Sequence, residues 1–597
     1  MSLQELPPEL VGKILDHLGW SSIELFSRTC RRNYALALPY LRREIALLSL
    51  NGRTLRPQVA DLGECLSEAA SVIVVSPNPE ESVGVTIRGR CPACDMKDFE
   101  RDHETGEALI HEILEKCQPG RLRKFTWLLG VCVQEDILGT NGILATQQSD
   151  LEELRLITCY HRLGLRCQTR YLDLTPFANL RTLSWTGVHR SQFGVVEAAL
   201  AALANQLVTL ELDYLSSTAN RDAEADQATE PGYLTTFFLG LRSQDTSVVF
   251  PRLENLSFTN IVLETTMGGQ LGAALNLHRL KSLTLKQCPG WKTLLASMQN
   301  PLSKPPFPLR RLEVHSFPRE DDRDSAVATA LASALRLCPD LEELRVYKVS
   351  GTASFPDTGV LQQDVKLPAL RRLVMHEGSP LTGSLADWRL PGDASEMFGI
   401  AEHNLLSHSR VEFLGHAGPM EQVKTLLDES TCPEALSNLK VLHVRQDHEE
   451  VSDFESRALG RAVHDGGALG RQDTWRMLTP EAYRFATWVF STPKLASLRL
   501  LAFGDFGTFD QRFRLLLCRS GVSGEHFRLV RETDGEMVEL LEVFLDSMVV
   551  GPSYSRPYLR TSGASIAANV WRRGLGRRLA KESGRRRPTR PREMEGE

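Results

Sequence analysis

At 597 residues with a formal net charge of −6 and 42% hydrophobic content, the chain is long enough for several domains or an array of repeats, and its composition is ordinary for a globular protein. No apolar run approaches the ~18 residues needed to cross a bilayer, charged Glu5, Glu9, Lys13 and Asp16 stand where a secretory signal would be apolar, and twelve scattered cysteines read as reduced thiols of an intracellular protein, cytoplasmic or nuclear. The charge is uneven: residues 556–597 hold twelve Lys/Arg against four Glu, a balance of +8 that leaves −14 on residues 1–555.

The first predicted element is a short helix. Leu6-Pro7-Pro8-Glu9-Leu10 places proline in a first turn, where its missing N–H costs nothing, and Glu9 against the positive helix start. Leu10, Ile14 and Leu18 follow at spacings of four with Leu15 beside them, one apolar stripe that a lone short helix cannot hide. Ser21-Ser22-Ile23-Glu24-Leu25-Phe26 starts a second helix with a serine as its N-cap. Thr29-Cys30-Arg31-Arg32-Asn33-Tyr34 leads into a third, with Leu36, Leu38 and Leu41 apolar.

Three short helices with Leu-Pro-Pro-Glu-Leu at the start, and Cys-Arg-Arg at 30–32 followed by Ala-Leu-Pro-Tyr-Leu at 37–41, resemble an F-box of the fungal kind. The resemblance implies docking on a Skp-type adaptor that joins the chain to a cullin–RING ubiquitin ligase. The matching, adaptor-facing positions are Leu6, Pro7, Pro8, Glu9, Leu10, Ile14, Leu15 and Leu18. Arg28, Thr29 and Asn33 depart from the aliphatic or aromatic residues usual in the family, which bears on the packing of the third helix.

Residues 1–48 are expected to form this helical domain, and 49–120 a linker and capping region before the repeats. Cys91-Pro-Ala-Cys94 is the only metal-like spacing. With His103, His111 and Cys117 it counts four or more zinc ligands, but the second pair has no close spacing, so a loop with two reduced thiols stands beside the zinc reading and no metal is assigned.

The middle of the chain repeats. Leu151/Leu154/Leu156 recurs as Leu180/Leu183/Trp185, Leu207/Leu210/Leu212, Leu253/Leu256/Phe258, Leu280/Leu283/Leu285, Leu309/Leu312/Val314, Leu341/Leu344/Val346, Leu370/Leu373/Met375, Leu439/Leu442/Val444 and Leu495/Leu498/Leu500. Leu122/Phe125/Trp127 is an earlier member and Val411/Leu414 a degenerate one. Steps of 27 or 29 residues and an L-x-x-L-x-L core resemble a leucine-rich repeat, with Cys159 and Cys288 at its Asn/Cys position. L-x-L alternation buries one side of a short strand, and helical stretches such as 195–203 and 326–335 lie between strands, so each unit hides its apolar side only against its neighbours. The expected fold class is therefore α/β: a repeat solenoid over 121–504, shaped as a horseshoe, behind the helical domain.

Polar residues 216–232 and acidic 446–473 read as insertions, and 505–555 as a unit capping the open end of the stack. The tail, 556–597, carries spaced basic clusters at Arg572-Arg573, Arg577-Arg578, Lys581 and Arg585-Arg586-Arg587. These resemble a bipartite nuclear-import signal; non-specific nucleic-acid binding and a merely solvated tail stay open beside it.

No phosphate-cradling glycine loop, H-E-x-x-H or nucleophile elbow is found, so no cofactor and no catalytic residue are expected. Residues beside the core leucines should face solvent on the concave side. From residue 280 onward these are Lys286, Arg311, His315, Arg345, Tyr347, Arg372, His376, His443, Arg445 and Arg499, opposed only by Glu313 and Glu343. Arg345, Tyr347, Arg372, His376 and Arg445 are the expected contacts to an acidic or phosphorylated protein substrate. A receptor subunit of the ligase is the function implied; a repeat scaffold without ubiquitin transfer is the alternative.

Overall fold

The computed structural model describes residues 6–15, 18, 20–41, 43–48, 65–75, 108–129, 133–158, 172–189, 192–214, 250–263, 275–298, 306–316, 324–348, 365–377, 405–406, 409–417, 420–429, 436–445, 480–504, 515–521, 525–530 and 534–548. The insertions expected at 216–232 and 446–473, the pair Cys91 and Cys94, and the basic tail lie outside them.

Three helices open the chain, α1 (Pro8–Leu15), α2 (Trp20–Thr29) and α3 (Arg31–Leu41). Their small core is Val11, Leu15, Ile23 and Ala37, bordered by Leu6, Phe26, Leu36, Tyr40 and Leu41. The Tyr40 hydroxyl donates to the Gly12 carbonyl at 2.9 Å, and a Cβ on Gly12 would stand 2.9 Å from that hydroxyl, so the glycine lets α3 approach α1. Asn33, polar where an aliphatic residue was expected, is buried with its amide donating to the Thr29 hydroxyl at 2.8 Å. Two of the three departures from the motif, Thr29 and Asn33, thus satisfy each other, and α3 packs.

Among the described residues, the rest forms one open sheet of sixteen strands that follow one another in chain order, parallel from β1 to β14 and antiparallel across β14–β15–β16. The strands are β1 (Glu44–Leu48), β2 (Ser71–Val75), β3 (Lys124–Leu128), β4 (Glu153–Ile157), β5 (Thr182–Val188), β6 (Thr209–Tyr214), β7 (Asn255–Thr259), β8 (Ser282–Lys286), β9 (Arg311–Ser316), β10 (Glu343–Lys348), β11 (Arg372–Glu377), β12 (Phe413–Ala417), β13 (Val441–Arg445), β14 (Leu500–Phe503), β15 (Leu515–Arg519) and β16 (Phe527–Leu529). Helices pack on one face: α4 (Cys65–Glu68), α5 (Glu135–Leu138), α6 (Ile143–Gln147), α7 (Phe193–Leu203), α8 (Trp291–Ser297), α9 (Asp324–Arg336), α10 (Met420–Glu429) and α11 (Pro480–Ser491). The helices read at 195–203 and 326–335 are α7 and α9.

The repeated leucines form a ladder. Leu154, Leu183, Leu210, Leu256, Leu283 and Leu312 stand in register on successive strands, and Leu344, Leu373, Leu414 and Leu442 continue it. All are buried in one core with the helices' apolar sides; each contributes about 1.5–3 kcal/mol on burial. The buried Cys288 thiol donates to the carbonyls of Phe258 and Lys286, tying two strand ends, while Cys159 lies outside the described residues.

The sheet corrects three boundaries. It begins at Glu44 and takes in β2, so strands precede residue 121. Leu442 pairs with Leu501 and Val444 with Phe503, so the last core triplet is Leu498/Leu501/Phe503, and the expected Leu495/Leu498/Leu500 is three residues out of phase. Leu500 faces the opposite side. The segment 505–555 also does more than cap an end: β15 and β16 extend the sheet, and α12 (Gly535–Met548) lies on the inner face, away from the other helices.

Four residues after the ladder leucine the backbone turns left-handed at Gly187, Asn260 and Gln287. At Gly187 (φ 84°) a Cβ would lie 2.8 Å from the Thr158 carbonyl oxygen. Gly187→Ala is therefore expected to destabilise the sheet by about 1–3 kcal/mol. A urea midpoint equal to that of the parent would show that no strain is held there.

Candidate functional site

Two surfaces carry the residues singled out above. The first is the outer side of α1. Val11 and Leu15 point into the three-helix core, while Leu10, Ile14 and Leu18 remain 46%, 37% and 39% exposed, with Tyr34 of α3 exposed as well. Pro7 and Glu9 are exposed and Leu6 is half-buried. The expected stripe thus divides: Leu15 holds the helices together, Leu10 and Ile14 form an apolar pair in solvent on α1, and Leu18, exposed as well, lies beyond the helix end at Leu15. Val11 belongs to the core at i, i+4 from Leu15, a spacing already readable from the chain.

The second surface is the inner face of the sheet, and its chemistry changes along the stack. Over β4–β9 it holds a small polar pocket lined by Arg155, Ser184, Glu211, Asp213, Thr284 and Lys286 among others, all of them buried or half-buried. Ser184 donates to Glu211 at 2.8 Å, Asn260 to Asp213 at 3.2 Å, and Arg155 pairs with Glu153.

Over β10–β14 the same face is covered. Met537, Leu541, Phe544 and Met548 of α12 pack on Tyr347, Val374, Phe413, Val441, Leu500 and Ala502. The helix crosses the strands in reverse order. Its first turn meets β14, where Arg499 bonds Glu536 at 2.8 Å. Phe544 stacks on Phe413 of β12 with centroids 5.5 Å apart, and the Arg372 guanidinium lies 5.0 Å from the Phe544 ring. Ser547 reaches β10, accepting from Arg345 at 3.1 Å and donating to Glu343 at 3.2 Å. The bidentate pair of Arg528 with Asp534, at 2.6 and 2.8 Å, sets where the helix leaves β16.

This arrangement overturns the expected solvent-facing basic strip. Arg345 is fully buried, paired with Glu343 and, at 3.8 Å, with Glu313. Tyr347 and His376 are buried, Arg372 is partly covered by Phe544, and Arg445 is half-buried. Lys286, His315 and His443 are buried too, and of the ten residues Arg499 is the exposed one. Glu313 and Glu343, read as minor opponents, are the counter-ions: Lys286, Arg311, His315 and Arg345 converge on Glu313, and Arg311, Arg345 and Arg372 on Glu343. Burial pushes the Glu343 carboxyl up, but the charges of Arg345, Arg311 and Arg372 outweigh it and hold it below the usual carboxylate range.

A readable signal for this cover exists. Phe413-Leu414, Val441-Leu442 and Leu500-Leu501 break the alternation of apolar and polar residues, as in strands buried on both faces. Met537, Leu541, Phe544 and Met548, at steps of four, three and four, are the matching helix face.

Of the zinc candidates, His111 sits 3.6 Å from Glu115, and Cys117 is in the hydrophobic core with its thiol pushed up to about 11 by burial. Among the described residues no helix is long and apolar enough to cross a membrane. A scan against protein-family models matches none of them, and a search of curated proteins returns no match.

Proposed function

We propose that the chain is the substrate-recognition subunit of a cullin–RING ubiquitin ligase, holding a Skp-type adaptor through its first helices and a protein substrate on the inner face of its repeats. The reading rests on the F-box and leucine-rich-repeat resemblances, and the observation that carries it is the exposure of the apolar residues Leu10, Ile14 and Leu18. Three helices that close a core of their own leave these side chains in water. Large apolar side chains left exposed on and just after one short helix favour a partner that covers them. The adaptor-facing residues on and beside α1 are thus Leu6, Pro7, Pro8, Glu9, Leu10, Ile14 and Leu18, with Leu15 shaping the helix from behind. On the inner face, the polar pocket over β4–β9 is the part that α12 does not cover, and its mixed charge suits a polar segment better than a uniformly acidic one. The chain contributes proximity and orientation, and the ligase's other subunits make the bond.

The test is co-purification of the full chain with a Skp-type adaptor and cullin, followed by reconstituted ubiquitin transfer to captured proteins. Adaptor binding with transfer supports the reading. Adaptor binding without transfer to any captured protein leaves the chain as a scaffold, and absence of adaptor binding removes the proposal.

A further inference from the structure

The inner face also holds histidines that the pocket and the adaptor surface do not use. His315, His376 and His443 stand there on β9, β11 and β13, and His376 is 1% exposed with neither ring nitrogen in a hydrogen bond. The His376 ring lies 5.4 Å from Tyr347 and 5.6 Å from His443. His443 lies 6.4 Å from Phe413, which stacks on Phe544 of α12. Tyr347 belongs to the same apolar cluster as the anchors of α12. The imidazoles and the cover are therefore one packed layer.

Among the described residues, no carboxylate stands against His376 in that layer. The groups acting on it are His443 and Arg445 from β13, His416 from β12 and His315 from β9, with Tyr347 against it from β10 and Phe544 of α12 joined to it through Phe413 and His443. None of these is a carboxylate. The two buried carboxylates nearby are already engaged, Glu313 by His315, Lys286, Arg311 and Arg345, and Glu343 by Arg345, Arg311 and Arg372. Burial, then the charges of His443, Arg445, His416 and His315, hold the His376 pKa well below the ordinary imidazole value. The packed layer binds a proton on His376 more weakly than a hydrated imidazole does. Its stability is complete above the ordinary pKa and declines as pH falls below it. The element placed to give way is α12, which follows the last strand and holds the face by four apolar side chains and by the polar contacts of Glu536 and Ser547.

We propose that α12 is an acid-released cover of the inner face: protonation of His376 frees the helix and uncovers Tyr347, Val374, Phe413, Val441 and Leu500. Under the proposed function this is the face that meets a substrate, so the inference rests on that reading for its consequence, while the release itself does not depend on adaptor or ubiquitin.

Amide hydrogen exchange of the full chain at pH 7.5 and 5.5, corrected for intrinsic rates, tests it. Protection of amides 537–548 should fall about tenfold at pH 5.5, the protonation ratio of one imidazole of pKa ~6.5, while β4–β8 keep theirs as internal reference. Phe544→Ala should lower α12 protection at both pH values, and His376→Phe should keep it at both. His376→Gln serves if the Phe variant loosens the layer at neutral pH. Equal protection of α12 at the two pH values in the parent chain overturns the proposal. So does an acid loss that persists in both His376 variants, or a Phe544→Ala chain as protected as the parent.

Discussion

Ile14→Asp and Leu10→Asp are each expected to abolish co-purification with a Skp-type adaptor while leaving the sheet and the three-helix core folded. Both side chains are exposed, so the substitutions bury no charge in the free chain. Covering one such residue contributes about 1.5–3 kcal/mol, so losing two anchors together weakens binding on the order of a hundredfold or more. Leu15→Asp is the contrasting change: it places a carboxylate among Val11, Ile23 and Ala37 and should melt the helical unit itself. Circular dichroism and thermal melting separate the two kinds of loss. Adaptor retained at parental level by the Ile14→Asp, Leu10→Asp double variant would remove the adaptor-binding role.

Arg345→Met is expected to cost about 3–5 kcal/mol of stability, read as a lowered urea midpoint, because it leaves two buried carboxylates short of a partner. Arg345 is fully buried, pairs with Glu343 and Glu313, and is held by Ser547 of α12. Met keeps most of the volume and none of the charge. The double change Arg345→Met, Glu343→Gln should recover part of the loss by removing one stranded charge. Because Glu343 is held below the usual carboxylate range, its pairs stabilise the fold at neutral pH, and that contribution disappears as pH falls below ~4.3 toward its own lower value. A loss under ~0.5 kcal/mol for Arg345→Met would show that the network does not hold the cover.

How much was legible differs between the two surfaces. The stripe on α1 was readable because spacing of four on one short helix fixes which side chains share a side. The sequence did not separate Leu15 from Leu10 and Ile14, since both lie on the apolar arc and only the approach of α3 at Gly12 decides which part is inside. On the inner face, alternation correctly put Arg345, Tyr347, Arg372 and His376 opposite the ladder leucines. The inference from that side to solvent failed, because a strand's period names a face and says nothing of what covers it. The phase slip at Leu500 has the same root: Leu498, Leu500 and Leu501 offer two overlapping triplets, and the inner-face apolar cluster made the wrong one look complete.

The strand-and-helix period, the ladder of buried leucines, the α/β class and the apolar residues of α1 were all readable along the chain. Each of these follows from side-chain spacing within one element or from repetition between neighbours, which are local properties. The packing of the whole chain settles that α12 lies on the inner face, that Arg345 there is paired and hidden, and that a polar pocket lies beside it. Arg345 and Ser547 are 202 positions apart, and no local period relates them. They meet because the apolar inner faces of β11–β14 and the apolar face of α12 each need burial, and folding the last helix back over the sheet satisfies both.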